Sequence, residues 1–424
     1  MKILLKNATY MDSDLSFKEA DIYINNGIID TIKKDIELSL SNLKIIDCSD
    51  LIVLPGLING HTHNPATIAR GLFKDCPLDK WCSDSIQGQL QNKVFDFIDN
   101  VNDKDFHILL LKAYSEYLKQ GVTFIVESGQ ADNAELKQKK AMEEIGLQGI
   151  IDAFEEIENV YEKSNDKISF SAHLPEEEDI CASEIENCIK IKDKTNTFRM
   201  THCMETKHRV NIIKNLANKS SVKYFYENGL LDKKTILFHL VYADVEDIKL
   251  LKNLDVSAVH CPVSNAWSGA GLAKIEKWLK EDINILLGSD FLLSDIWEVM
   301  RKTYYYLKTV SDISEYKVED IFKMVSVNGA KAFMKENKKG VIKKGADADL
   351  IFFDKNNPKL WPLINKKEFS NILYNILING NENIIKHVLV KGSWVIRNYK
   401  LQTINEDYIN LEYKRIIKNL YYND

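Results

Sequence analysis

A chain of 424 residues, 45% hydrophobic and 28% charged, has the composition of an ordinary globular protein and is long enough for a large core with a smaller unit attached. Its net charge of −6, with Lys and Arg scattered, excludes the basic surface that a nucleic-acid partner needs, so the expected partner is a small molecule. No stretch approaches the roughly 20 apolar residues of a membrane-spanning helix, and the N-terminal MKILLKNATYMDSDLSF turns polar too early for a signal peptide. The seven cysteines are odd in number and contain no C-x-x-C pair. A reducing cytoplasm is therefore the expected compartment.

In chain order, KILLKNATY and DIYINNGIIDTIKK read as short antiparallel strands, with a turn at Asn25-Asn26-Gly27. The texture then changes. LIVLPGLIN, VTFIVESG, LQGIIDAF, KISFSAH, TFRMTH, TILFHLV, VSAVHCP and NILLGSD are apolar runs separated by helical stretches. Strands alternating with helices call for a parallel sheet, and eight such units are what a closed barrel requires. Strand-like texture returns in GVIKKGADADLIFFD and HVLVKGSWVIRNYKL, and the chain closes on a helical pattern, TINEDYINLEYKRIIKNLYYND. The expected fold is α/β: a (β/α)8 TIM barrel over residues 54–338, and a composite β-sandwich formed by both chain ends, 1–53 and 339–424, with the last helix packed on it.

Chemistry in such a barrel lies at the C-terminal ends of the strands. Six of the nine histidines fall at those predicted ends: His61, His63, His173, His202, His239 and His260. Asp290 ends the eighth strand, and Glu205 follows His202 by three residues. Residues i and i+2 of a strand point the same way, so His61 and His63 can reach one ion. Any one of these polar groups is equally explained by a hydrogen bond at a loop start. Their coincidence at one end of several strands is what points to a divalent metal, since imidazoles with a carboxylate suit Zn²⁺ or Fe²⁺ and leave a position for water.

The segments PGLINGHTH, RGLFKDCPLDKW, His202-Cys203-Met204-Glu205, FHLV, HCPVSN, LLGSD and VNGAKAF…GVIKKGADADLIFFD, in this order, resemble the amidohydrolase superfamily. The similar branch holds methylthioadenosine/adenosylhomocysteine deaminases, guanine deaminases and triazine hydrolases. The resemblance implies one divalent ion, zinc first and iron as the alternative, on His61, His63, His202 and Asp290. It implies that Glu205 shuttles protons and contacts substrate, that His239 polarises and orients the reacting groups, and that Asp290 takes a proton from the attacking water. It matches Trp81 and His173 to substrate contacts, although Trp81 could equally be core and the surroundings of His173, SAHLPEEED, depart from the pattern. His260 reads either as a support for Asp290 or as a satisfied strand end. A homodimer is compatible with the resemblance, but no sequence feature marks its surface.

The implied activity is hydrolytic deamination of an aminated N-heterocycle such as a purine, a pyrimidine or a nucleoside. The alternative is hydrolysis of a ring C–Cl bond or a cyclic amide at the same centre. The nucleoside deaminases of this branch carry arginines after strand three. Here that stretch is GIIDAFEEIENVYEK, with Glu155, Glu156 and Glu158 and no arginine, so no anion clamp is expected there.

Overall fold

A computed structural model describes residues 1–81, 83–129, 134–154 and 157–422. The strands from the N-terminal end are β1 (Lys2–Met11), β2 (Phe17–Asn25), β3 (Ile28–Lys33), β4 (Leu43–Asp47) and β5 (Leu51–Pro55). Next come β6 (Leu57–Thr62), β7 (Val122–Ser128), β8 (Gln148–Ala153), β9 (Ile168–His173), β10 (Arg199–Cys203), β11 (Thr235–His239), β12 (Ser257–His260) and β13 (Asn284–Leu287). The C-terminal part adds β14 (Leu350–Asp354), a small hairpin of β15 (Asn365–Lys366) and β16 (Phe369–Ser370), then β17 (Ile385–Val390), β18 (Ser393–Arg397) and β19 (Lys400–Leu401).

Strands β6 to β13 pair in sequence order as an eight-stranded parallel sheet, and its two edges meet. The seam is closed by polar groups at the strand ends. Asn59 Nδ2 donates to Ser289 Oγ at 2.8 Å, the Ser289 N–H donates to Asn59 Oδ1 at 3.0 Å, and the Asp290 N–H donates to the His61 carbonyl at 2.8 Å. The expected barrel is therefore present, and its last hydrogen bond joins two of the residues singled out for chemistry. Ile58, Phe124, Ile150, Met200, Phe238 and Leu286 fill the interior below them, as close packing of a barrel this size requires.

Both chain ends meet in one mixed nine-stranded sheet, ordered β19-β18-β17-β14-β5-β1-β2-β3 with β4 on β1. Ile3, Leu5, Ile22, Val53, Leu350 and Phe352 pack together in its core. β2 and β3 form a hairpin through Asn26 and Gly27, both at positive φ (49° and 82°), as a two-residue turn matched to strand twist demands. Lys339 joins this sheet to the barrel. Its buried Nζ donates to Gln148 Oε1, Asp347 Oδ2 and Asp349 Oδ2 at 2.8–2.9 Å.

Two expectations are corrected. LIVLPGLIN is not one strand, because it breaks at Gly56: β5 pairs with β1 and β14 in the end sheet, and β6 opens the barrel. A Cβ at Gly56 would lie 2.1 Å from Thr123 Oγ1 and 2.5 Å from Thr123 Cγ2, so only glycine lets the chain cross between the two units there. Gly56→Ala is expected to lower stability by about 1–3 kcal/mol, read as a lower denaturation midpoint; an unchanged midpoint would refute this account of the crossing.

The C-terminal helix (Glu406–Tyr421) packs mainly on the barrel helix Asp103–Lys119 rather than on the sheet. It buries Ile409, Ile416 and Leu420. Ion pairs Lys119–Glu406 and Arg415–Asp105 tie the two helices together, and Tyr421 donates to the Ile68 carbonyl at 2.8 Å. Among the described residues, no helix is long and apolar enough to cross a membrane.

Candidate functional site

His61 lies within β6 and His63 one residue past its end, His202 lies near the end of β10, and Asp290 three residues past β13. All four are buried, and each offers one ligand atom within 4.8 Å of the others. His61 Nε2 and His63 Nε2 are 3.0 Å apart, His63 Nε2 and His202 Nε2 are 3.2 Å apart, and Asp290 Oδ1 is 3.3 Å from both His61 Nε2 and His63 Nε2. Burial and the neighbouring His63 hold the His61 imidazole well below its ordinary pKa. Burial likewise pushes His202 down to about 4, against the pull of Glu176. These two rings are held towards their neutral form, whereas His63, against the pull of burial, has its pKa raised by Asp290, and all three ring nitrogens point into one small space. Lone pairs that close repel unless a cation separates them, and three nitrogens with one carboxylate oxygen suit a divalent ion. The residues fit a metal.

Each of these groups is held from behind. The His61 ring stacks on Phe238, with centroids 3.9 Å apart. His202 Nδ1 donates to Glu176 Oε1 at 2.5 Å, and Arg209 donates to the other oxygen of Glu176. Asp290 Oδ2 accepts from Ser264 Oγ. Beside His63, Asn64 donates to Glu127 through its N–H (2.8 Å) and its Nδ2 (2.7 Å). Burial raises the Glu127 carboxyl to about 7, against those hydrogen bonds.

Glu205 and His239 flank the four. Glu205 Oε1 lies 3.8 Å from His239 Nδ1 and Oε2 lies 3.8 Å from Arg209. Burial raises the Glu205 pKa, with His239 opposing. His239 Nδ1 donates to Asn265 Oδ1 at 2.8 Å, so Nε2 carries the lone pair; it sits 3.9 Å from Asp290 Oδ2 with no partner among the described residues. Met204, His239, Leu240 and Asp290 all have φ between 47° and 70°. Left-handed backbone at non-glycine residues costs energy, and its clustering where β10, β11 and β13 end marks a functional site. Glu177 holds one of them, accepting the Met204 N–H at 2.7 Å just before Glu205.

The other expected residues are placed as follows. Trp81 is 8% exposed, donates from Nε1 to the Cys76 carbonyl at 3.1 Å, and stacks on Trp267 with centroids 5.2 Å apart. It joins Phe73 and Phe291, and Phe291 lies edge-on to His63 at 6.1 Å, so this aromatic cluster borders the site. His173 donates to Asp152 Oδ2 at 2.7 Å and sits 4.0 Å from Glu176, on the wall of β8 and β9. His260 does not reach Asp290. Neither of its ring nitrogens has a hydrogen-bond partner among the described residues, its ring lies near Trp278, and burial pushes its pKa down to about 3. Ser264 takes the place beside Asp290 instead, because the helix Pro262–Trp267 that follows β12 turns Ser264 and Asn265 inward. Glu155 and Glu156 lie outside the described residues. Glu158 pairs at 2.8 Å with Lys194 on the surface.

Sequence reasoning named neither Glu176, Arg209, Ser264 nor Asn265 as part of the site. The last two stood in the quoted HCPVSN. Glu176 lies in the loop after β9 and Arg209 in the first turn of the helix Lys207–Ala217, and neither carried a local signal.

A family model described as the amidohydrolase family matches residues 52–395. The chain is 31% identical over 428 residues to a 5-methylthioadenosine/S-adenosylhomocysteine deaminase of Thermococcus sibiricus, covering 93% of this chain and 94% of that one. Its fold matches an adenosine deaminase of Xanthomonas campestris with bound zinc (TM-score 0.87, 18% identity, 99% and 98% of the two chains). It also matches a guanine deaminase of C. acetobutylicum with bound guanine (TM-score 0.75, 19% identity, 93% and 100%). The polar seam of the barrel, the four converging ligands and a family match across that whole region lead to one assignment: this chain belongs to the amidohydrolase family.

Proposed function

We propose that this protein is a zinc-dependent deaminase that hydrolyses the exocyclic amine of an N-heterocycle, a purine or pyrimidine base or a nucleoside, and releases ammonia. The observation that carries the reading is the pairing of the four-ligand cluster with Glu205 and His239 on its open side. The names of the deaminase relatives support it. His61, His63, His202 and Asp290 would hold the ion, which when bound supplies a water of lowered pKa and polarises the reacting carbon.

The chain's own residues do the rest. The bond that forms joins a water oxygen to the ring carbon, and the bond that breaks frees the amine. Asp290 accepts the proton that the water loses. His239, its tautomer fixed by Asn265, presents Nε2 to the reacting oxygen. An amide ion is too poor a leaving group to depart unprotonated, so Glu205 gives a proton to the ring nitrogen, the proton taken by Asp290 passes to the amine, and the proton left on the former water oxygen returns to Glu205 as ammonia leaves. Burial of Glu205 favours its protonated form, which suits an acid. The aromatic cluster of Trp81, Phe73 and Phe291 offers flat apolar surface to a heterocycle.

All six cysteines among the described residues are free thiols, which supports a reducing, cytoplasmic setting. The test is ammonia release by the zinc-loaded protein across purines, pyrimidines, adenosine derivatives and amino-triazines. A hit establishes the reaction. Zinc bound but no ammonia from any of them would overturn it and move weight to chloride or cyclic-amide hydrolysis.

Glu176 should act on the metal through His202. Glu176→Gln is expected to weaken zinc binding about 10–100-fold, measured by competition with a chelator. Unchanged affinity would show that the His202 ring needs no carboxylate behind it.

A further inference from the structure

Glu205 is buried at the site, and its backbone is set by the left-handed Met204 turn that Glu177 holds. Its side-chain torsions still have to be chosen, at a cost in conformational entropy. Among the described residues the carboxyl group makes no hydrogen bond. Two groups flank it: His239 Nδ1, 3.8 Å from Oε1, and Arg209 Nη1, 3.8 Å from Oε2. His239 cannot hold it, because its Nδ1–H is already donated to Asn265. That leaves Arg209.

Arg209, in the first turn of the helix Lys207–Ala217, is oriented by groups other than Glu205. Its Nε donates to Glu178 Oε1 at 2.9 Å, and its Nη2 donates to Glu176 Oε2. A guanidinium is a rigid, planar fork that stays charged, so two donors pinned along one edge fix where the remaining one points. The remaining one is Nη1. It is sealed from solvent, has no hydrogen-bond partner among the described residues, and lies 3.8 Å from Glu205 Oε2. An unpaired buried donor on a charged group is costly. A shortening of about 1 Å would turn this contact into a hydrogen bond, and catalytic hydrogen bonds commonly tighten once substrate is bound. The contacts run in one line through the site: His202 Nδ1 to Glu176 Oε1, Glu176 Oε2 to Arg209 Nη2, Arg209 Nη1 to Glu205 Oε2, and Glu205 Oε1 to His239 Nδ1.

We propose that Arg209 is a positioning residue for the proton shuttle: its Nη1 holds Glu205 Oε2, which keeps Oε1 turned towards His239 and the reacting atoms. The role in turnover rests on the deaminase reading. When the Oε1–H proton passes to the ring nitrogen, the electron pair of that bond stays on the carboxylate. The charge that spreads to Oε2 meets the Nη1–H, and the contact remains in place until the proton returns as ammonia leaves. With a neutral side chain at position 209, Glu205 would sample other rotamers, and its carboxylate would form in a buried place with no cation beside it.

The test is a double-mutant cycle between Arg209→Met and Glu205→Gln, run at saturating zinc so that any loss of metal affinity through Glu176 does not enter kcat. Arg209→Met alone is expected to lower kcat at least about tenfold while KM changes less than about twofold. In the Glu205→Gln protein the same change should lower kcat less than about twofold, because the carboxylate that Arg209 would hold is gone. Equal losses in both backgrounds, or no loss in either, overturn the proposal: Arg209 would then serve only Glu176 or the fold. If Arg209→Met does not fold, Arg209→Lys takes its place in the cycle with the same expectations, since it keeps a charge against Glu176 and Glu178 but lacks the third arm of the fork. A second readout needs no turnover. In crystals of the zinc-loaded Arg209 variant, the Glu205 carboxylate should have left its place beside His239; an unmoved carboxylate overturns the proposal. Should the wild-type protein release no ammonia from any heterocycle, the deaminase reading falls, and the crystal comparison still decides whether Arg209 holds Glu205.

Discussion

A His61→Ala protein is expected to fold, to bind no divalent metal under conditions where the wild-type chain does, and to release no ammonia. His61 is fully buried, and its Nε2 stands 3.0 Å from that of His63. Removing it leaves two imidazoles and one carboxylate around a space sized for four donors. The nucleophile depends on a lowered water pKa that the chain cannot produce alone. Truncation also opens a cavity against Phe238, on which the ring stacks, and comparable core truncations cost about 2–5 kcal/mol. His63→Ala, at the rim and without that stack, separates the two effects: it should lose metal and turnover with a smaller fall in melting temperature. Elemental analysis, a thermal melt and an ammonia assay cover all three readouts. Full activity in metal-free His61→Ala protein would sink the whole assignment.

Glu205→Gln is expected to keep its zinc and its fold while kcat falls on the order of 10²–10⁴-fold, the usual contribution of a positioned acid–base group. The amide keeps the shape of the side chain between His239 and Arg209, both 3.8 Å away. It cannot carry a proton to the ring nitrogen. Substrate binding should change far less than turnover, because the group acts on charge that develops during reaction. A near-normal kcat would mean that another group, His239 first, moves the proton.

Seven of the eight barrel strands could be read directly because each is an apolar run bounded by turn residues, and six of the nine histidines fell at the strand ends. What escaped had no local expression. Leu51–Pro55 and Leu57–Thr62 are both fully buried and separated only by Gly56, so nothing in the run reveals that they belong to different sheets. The last helix shows an apolar face, but periodicity states only that the face is covered and leaves open by what. Glu176 meets Arg209 across 33 positions of sequence, and Ser264 meets Asp290 across 26. Such groupings exist only after folding. His260 carried two readings, support for Asp290 or a satisfied strand end; among the described residues its ring nitrogens have no hydrogen-bond partner, and Ser264, one helical turn later, contacts Asp290.

The pairing of β5 with β14 bears on how the chain is made. Leu51–Pro55 is hydrogen-bonded along its length to Leu350–Asp354, about 300 residues downstream. At a synthesis rate of about 5–20 residues per second, the earlier strand waits on the order of 15–60 s for its partner. Throughout that interval one edge of a buried, apolar strand stands open on the nascent polypeptide, a template for pairing with any neighbouring chain. The barrel between them can form while the ribosome is still at work, but the sheet that clasps it is completed only once β14 and the strands after it have been made. The yield of native protein is therefore set by what shields β5 during those seconds.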